Sequence, residues 1–244
     1  MMKDTVQKPF VELLAQQGIS LSERQLEQFE AYYKLLVEWN EKINLTAITE
    51  REQVYLKHFY DSLSLSFFYP LTEVTTLADI GSGAGFPSLP LKIAFPHLRV
   101  TIVDSLNKRI LFLREVVQVL GLEYVECVHG RAEDVSRLPV YRDRFDLVTA
   151  RAVARLNVLA EFCLPFARKG GAFLAMKGSE VEGELKEAAF SFAELKGVMK
   201  QVDQMELPIE RSVRHFVRVD KVGATPGKYP RKAGLPIKLP LVGK

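Results

Sequence analysis

In Leu77-Ala-Asp-Ile-Gly-Ser-Gly-Ala-Gly-Phe-Pro87 a short apolar run ends in three glycines on alternate residues. The run reads as a strand. Gly81, Gly83 and Gly85 read as a sharp turn that accepts positive φ and lets a ligand approach with no Cβ in the way. Pro87 suits the first turn of a following helix, where its missing N–H is no loss. That helix would direct free N–H groups and partial positive charge back across the loop. Strand, loop and helix together predict a cofactor pocket.

The spacing narrows the cofactor. The dinucleotide fingerprint is G-x-G-x-x-G, and here the third glycine, Gly85, comes one residue early. Asp104 lies 23 residues beyond Gly81, at the end of a second strand read over Arg99–Val103. A carboxylate there takes two ribose hydroxyls as donors and repels a phosphate on the ribose. A G-x-G-x-G loop with a ribose acid and no phosphate lysine fits a nucleoside carried without phosphates, and S-adenosylmethionine is the expected one.

The texture around this loop sets the fold class. After Thr75, short β-rich runs alternate with helical ones, the pattern of parallel βαβ units. Strands are expected near 76–80, 99–103, 125–129, 145–149, 172–176, 201–207 and 214–221, with helices between the first five. The clearest helix is 107–120, with Gly121 at its C-cap. Pro208 falls between the last two strands, which read as an antiparallel hairpin. Five parallel strands ending in a hairpin are similar to the Rossmann-like, seven-stranded, mostly parallel α/β sheet of class I methyltransferases. Residues 1–75 read instead as a helical cap. Ser20 with Glu23 and Thr49 with Glu52 form capping boxes; Leu26, Phe29, Tyr33, Leu36 and Trp39 recur at helical spacing, as do Leu56, Phe59 and Leu63. The expected organisation is a cap over 1–75 and a cofactor-binding domain over 76–244.

Composition excludes several classes. Of 244 residues 48% are apolar and 26% charged, which is ordinary for a soluble globular chain. No apolar run approaches the roughly 20 residues of a membrane span, and the first residues lack a signal-peptide core, so a cytoplasmic protein without a membrane partner is expected. Cys127 and Cys163 have no metal-ligand spacing, so no metal is expected. Charge is uneven: from Arg211 to Lys244 nine Lys and Arg face the single acid Asp220. A basic terminus of +8 on a chain of +3 points to a polyanionic partner. Lys228, Arg231 and Lys232, spaced by prolines and glycines, are expected to lie outside any packed element and meet RNA phosphates.

In a doubly wound sheet, residues just after each strand are the site candidates. Gly130-Arg131-Ala132-Glu133 follows the third strand and would place a carboxylate or backbone group near the adenine edge. Arg151 follows the fourth and Lys177 the fifth, so Arg131, Arg151 and Lys177 are expected to ring one substrate-facing cleft. Methylating C5 of a pyrimidine needs a thiol at the cleft, and neither cysteine is expected there. Methylating an exocyclic amine usually relies on an Asn/Asp-Pro-Pro-aromatic turn after the fourth strand, where this chain has Ala150-Arg151-Ala152. Guanine N7 carries an in-plane lone pair and no proton, so no catalytic general base is expected, only orientation of the base. Arginine and lysine would serve O6 and the phosphates.

The chain resembles the glucose-inhibited division protein B family, which methylates guanine N7 in small-subunit (16S) ribosomal RNA. The resemblance is carried by Trp39-Asn-Glu-Lys-Ile-Asn-Leu-Thr46, Lys57-His-Phe-Tyr-Asp-Ser-Leu63, Asp79 to Pro87, Gly130–Glu133, Thr149–Val153, Met176-Lys-Gly178 and Thr225–Lys232. It implies that Gly81, Phe86, Ala132, Glu133 and Arg151 contact S-adenosylmethionine; Asp104 is added by the general logic of class I folds. Small-subunit ribosomal RNA, free or in an assembling particle, is the implied partner of a monomer. His58 and Asp61 receive no role from the residues alone, with a structural helix-to-sheet hydrogen bond as open a reading as a functional one. The alternatives are a small-molecule or protein methyltransferase, which has no use for the basic terminus, and an RNA-binding assembly factor with a vestigial cofactor fold, against which the intact glycines and Asp104 speak.

Overall fold

The computed structural model of the chain describes residues 4–178 and 180–243. Its N-terminal part is helical: α1 (Gln7–Ala15), α2 (Glu23–Ile43), α3 (Arg51–Val54), a π-helical stretch over Tyr55–Tyr60, α4 (Asp61–Leu63) and α5 (Leu65–Phe68). α2 begins two residues later than the expected Ser20 cap implies. Ser22 caps it, accepting from Gln25 N at 3.3 Å while Gln25 Oε1 accepts from Ser22 N at 2.8 Å. Gln25 also donates from Nε2 to Ile93 O at 2.7 Å, a tertiary bond that a carboxylate such as Glu23 could not donate. The expected Thr49 cap is not formed either: Glu50 flanks α3 and makes no side-chain cap bond.

The second part alternates as β1 (Thr76–Ile80), α6 (Ser88–Ala94), β2 (Arg99–Asp104), α7 (Asn107–Val119), β3 (Val125–His129), α8 (Ala132–Val135), β4 (Phe145–Arg151), α9 (Leu156–Cys163), β5 (Ala167–Lys177), α10 (Glu182–Glu194), β6 (Gly197–Glu206), β7 (Val213–Lys221) and α11 (Leu235–Lys238). The seven strands form one sheet in the order β3-β2-β1-β4-β5-β7-β6. Only β7 runs against its neighbours, pairing antiparallel with both β5 and β6. This is the Rossmann-like class I methyltransferase sheet. β6 starts before the expected Gln201 because a register shift between Met199 and Gln201 interrupts the strand's alternation.

Each face of the sheet buries its own core. On one face Leu77, Ile102, Leu147 and Phe216 pack with Leu89 and Phe112 and with Phe10, Phe29, Tyr32 and Phe59 of the N-terminal helices. On the other, Ile80, Val148, Phe173 and Val219 pack with Leu159, Phe162 and Phe192 of α9 and α10. The cap therefore shares a core with the sheet and sits directly beside the glycine loop.

The basic terminus is packed, contrary to the expectation drawn from its prolines and glycines. Lys221, wholly buried, donates from Nζ to Asp143 Oδ1 and Thr225 Oγ1 at 2.8 Å each and to Leu164 O and Ala167 O at 2.5 and 3.0 Å. Beyond it Arg231 forks onto Glu161 of α9, and Tyr229 donates to Glu194 of α10 at 2.7 Å. Among the described residues no helix is long and apolar enough to cross a membrane, and no group of His, Cys, Asp or Glu could hold a metal ion.

Candidate active site

The glycine loop leaves β1 with Gly81 N donating to Val103 O at 2.8 Å, which extends the β1–β2 pairing by one bond. Its three glycines differ in what surrounds them. A Cβ on Gly85 would stand 2.6 Å from the Tyr32 hydroxyl and 2.7 Å from Leu89 Cδ1, and one on Gly81 would stand 2.8 Å from Val153 Cγ2. At Gly83 nothing lies within 4 Å, yet φ is +61°. Gly85 is thus a packing glycine against the cap, and Gly83 presents open left-handed backbone. The Tyr32 hydroxyl also donates to Ala84 O, so α2 fixes the loop from behind. Pro87 flanks α6 rather than entering its first turn, and the free Ser88 N–H donates to Asp79 Oδ2 at 3.1 Å.

Asp104, at the end of β2, is buried and faces this loop. Its carboxylate accepts from Gly83 N at 3.1 Å and Leu106 N at 2.8 Å, with Arg109 Nη1 at 3.4 Å. The two backbone donors leave further acceptor capacity on the carboxylate. Asp79 Oδ1 and Ser82 Oγ are buried with no hydrogen-bond partner. Burial pushes the Asp79 carboxyl up to about 7, against the pull of its bonds to Ser88 and the charge of Arg151. Open backbone at Gly83, an acid at the second strand end and two orphaned polar atoms are a set that fits the nucleoside and amino-acid ends of S-adenosylmethionine.

Next to the loop lies a cleft of about 350 Å³ lined by Lys57, His58, Asp61, Arg151, Lys177 and Arg214, among others. Asp61 organises it, accepting from Arg151 Nη1 on Oδ2 and from Arg214 Nε on Oδ1, both at 2.9 Å. Arg151 also donates to Lys57 O at 3.3 Å, and its Cζ stands 4.9 Å over the Phe86 ring. Phe86 in turn stacks on His58, with centroids 4.6 Å apart, and on Tyr32 at 5.6 Å. His58 Nε2 and Thr46 Oγ1 are 2.8 Å apart. Burial and the nearby Arg151 charge hold His58 down at about 3, so its ring is neutral. Lys57 pairs with Glu210 at 2.6 Å.

The family model described as rRNA small subunit methyltransferase G (GidB) matches residues 25–216. The chain belongs to this family. It is 58% identical over 233 residues to the ribosomal RNA small subunit methyltransferase G of Brevibacillus brevis, covering 96% of this chain and 98% of that one. It is 59% identical over 233 residues to the protein of the same name from an Exiguobacterium species, with the same coverage. Among solved structures, an O-methyltransferase from Bacillus cereus in complex with SAH superimposes with a TM-score of 0.56 at 17% identity, over 78% of this chain and 91% of that one. That similarity is one of fold.

The blocks that carried the resemblance to the GidB family converge in space. Thr46, His58, Asp61, Phe86, Arg151 and Lys177 come from five of them and meet at the seam between glycine loop and cleft. The expected ring of Arg131, Arg151 and Lys177 is corrected: Arg131 is exposed beyond β3 and does not line this cleft. Lys177 lines it with its Nζ held by Ala154 O at 3.0 Å and Glu184 at 2.9 Å. Ala132 and Glu133 open α8 beyond β3, with Glu133 buried and accepting from Gly234 N at 2.8 Å. Of the tail residues, Arg231 is corrected to a structural partner of Glu161, Lys228 pairs at the surface with Glu194 at 2.8 Å, and Lys232 is exposed.

Sequence reasoning named His58 and Asp61 without a role and did not single out Lys57 or Arg214. Their partners lie about ninety or more residues away for the Asp61 pairs, beyond any local pattern. One signal was present: His58 and Asp61 stand three apart, on one face of a helix, at polar positions that the apolar spacing of Leu56, Phe59 and Leu63 does not account for. The π-helical stretch at Tyr55–Tyr60 carries His58, and such turns recur at functional sites.

Proposed function

We propose that this chain transfers a methyl group from S-adenosylmethionine to N7 of a guanine in small-subunit 16S ribosomal RNA. The observation that carries the reading is the seam itself: Phe86 of the glycine loop lies under Arg151, which opens onto a cleft lined by four cations, Lys57, Arg151, Lys177 and Arg214. S-adenosylmethionine, when bound, supplies an electrophilic methyl. Gly83, Asp104 and the Ala132–Glu133 turn would hold its nucleoside part, and Asp79 its amino-acid end.

The residues of the cleft suit an acceptor that needs no deprotonation. His58 is half-buried, weakly basic because burial and the Arg151 charge hold it at about 3, and occupied by Thr46 and Phe86, so it orients rather than abstracts. Burial raises both thiols, Cys163 at the end of α9 and Cys127 within β3, and neither lines the cleft. Arg151 and Arg214, fixed by Asp61, present N–H donors suited to purine O6 and to phosphate. Positioning supplies the catalysis. The reading also makes the chain a cytoplasmic, RNA-binding enzyme that works as a monomer.

The test is incubation of the chain with S-adenosylmethionine and small-subunit RNA, naked and in particles, followed by chain scission specific to N7-methylated guanine. One new scission site in the RNA is expected. Methyl incorporation with no such site would overturn the N7 assignment, and no incorporation in either substrate would overturn the reading.

A further inference from the structure

Glu133 Oε1 accepts from a backbone N–H 101 residues away, that of Gly234, at 2.8 Å. The helix that carries Glu133, α8, is a single turn of four residues beside the edge strand β3. A helix that short has little stability of its own, and the chain terminus braces it. Arg137 Nη2, just beyond α8, donates to Pro230 O. Arg231 donates to Glu161 from its backbone N at 2.6 Å and from its guanidinium at 2.7 Å, and Glu161 is 1% exposed. Gly234 follows at φ +82° with nothing within 4 Å of a Cβ position, so backbone conformation and not packing calls for glycine there.

What this brace fixes lies at the carboxyl ends of the strands. Gly130 N donates to Asp104 O at 3.0 Å, so the turn into α8 is tied to the end of β2, and Glu133 and Asp104 belong to adjacent strand ends. A nucleoside in a doubly wound sheet lies beyond those ends. We propose that residues 229–234 form the outer wall of the cofactor site and that Gly234 is a positioning residue, its N–H holding the Glu133 carboxylate in the orientation that receives the nucleoside. A buried carboxylate deprived of that donor turns toward water instead. The inference rests on the methyl-transfer reading above.

Calorimetric titration of the full-length chain with S-adenosylhomocysteine tests it. Gly234→Pro removes the N–H and cannot hold the positive φ, while the Arg231 ion pair keeps the rest of the strap in place. It is expected to bind roughly tenfold more weakly, the loss typical of a hydrogen bond to a charged group. Gly234→Ala, which keeps the N–H in a strained backbone, is expected to lose less. Glu133→Ala is expected to weaken binding by itself, and in that background either Gly234 substitution is expected to add nothing, because it acts through Glu133. Melting temperatures of the variants check that each is folded; should Gly234→Pro fail to fold, the Gly234→Ala and Glu133→Ala pair gives the same cycle. Parent-like affinity in the folded Gly234 variants, or losses that add in full, would overturn the inference. Absence of binding by the unaltered chain would overturn the methyl-transfer reading itself, and needs no variant to be seen.

Discussion

Arg151 donates from Nη1 to Asp61 Oδ2 at 2.9 Å, and the same carboxylate takes Arg214 on its other oxygen. One acid from the N-terminal helices thus fixes two guanidiniums that arrive from β4 and β7, strands separated in the sheet by β5. The Asp61 side chain is 4% exposed, so its charge is balanced by these arginines and not by water. Because Arg151 also lies over Phe86, the acid positions, at one remove, the residue that meets the glycine loop.

Asp61→Asn keeps the shape and removes the charge. Breaking a buried pair typically costs about 3 kcal/mol or more, and here two partly hydrated guanidiniums are released at once. A loss near that figure is expected in denaturant unfolding. Turnover at saturating substrates is expected to fall by roughly 10²-fold, as for a misplaced orienting group. Turnover that survives in the folded variant would show that Arg151 does not orient reactants.

Gly83 and Gly85 should fail in different ways. Gly83→Val meets no neighbour and adds only the strain of a branched residue at φ +61°, about 1 to 2 kcal/mol. Cofactor affinity is expected to collapse while the chain still folds. Gly85→Val drives into Tyr32 and Leu89, inside the core that cap and sheet share, and is expected to unfold the protein. Comparing melting temperature with S-adenosylmethionine affinity for the two variants checks this; equal affinity in parent and Gly83→Val would move the pocket elsewhere.

His58 and Asp79, shifted in opposite directions by desolvation, are expected to give opposite pH dependences that offset each other. His58 is held at about 3 against an ordinary 6.5, so below pH 6.5 the unfolded chain binds the extra proton. Its contribution to stability is whole above pH 6.5 and is lost as pH falls toward 3. Asp79 is raised from 3.8 to about 7, so there the folded chain binds the extra proton. Its contribution is whole below pH 3.8 and is lost as pH rises through 7. Between these limits the two slopes cancel in the parent. His58→Phe is expected to unmask stability that falls with pH, and Asp79→Asn stability that rises with it, each by up to about 1.4 kcal/mol per pH unit. Unfolding free energies measured from pH 4 to 7 decide it, and two variants with parent-like slopes would refute the paired titration.

The parts of this architecture that were legible in the sequence are those set by local chemistry. β1 and β3 begin and end at the expected residues because apolar runs stop at glycines or polar turns, and the loop at Gly81–Gly85 announces itself by composition. Where a choice lay between neighbours, tertiary bonds decided: Ser22 rather than Ser20 caps α2 because Gln25 serves both the cap and Ile93. The cleft was legible through Arg151 and Lys177, which close strands β4 and β5, and illegible through Asp61 and Arg214, joined across 153 residues. The terminus misled for the same reason. Prolines and glycines gave it the look of a free segment, whereas Glu161 and Asp143, far away in sequence, bind it down.

That correction changes what the tail should do to RNA binding. A log–log salt slope falls by roughly 0.7 to 0.9 for each phosphate contact removed. Lys228 is at the surface, pairing with Glu194 and standing 4.9 Å over the Tyr229 ring, and Lys232 is exposed. Replacing both by Ala is expected to weaken binding across RNA sequences and flatten the salt dependence while leaving cofactor affinity and melting temperature near the parent's, because the Lys232 side chain is exposed and the strap is held through Arg231 and the Gly234 N–H. Arg231→Ala is expected to act elsewhere. It leaves the buried Glu161 without its guanidinium, a change that costs about 3 to 5 kcal/mol when a buried ion pair loses one partner, and it frees the strap that braces α8. Its first effect is therefore a lower melting temperature, with no separate change in salt slope under conditions where the chain remains folded. Arg151→Ala, in contrast, should depress turnover with little effect on that slope, since its charge is engaged by Asp61. A salt slope that drops with Arg231→Ala and not with the Lys228 and Lys232 pair would reverse these assignments and put Arg231 back on the RNA.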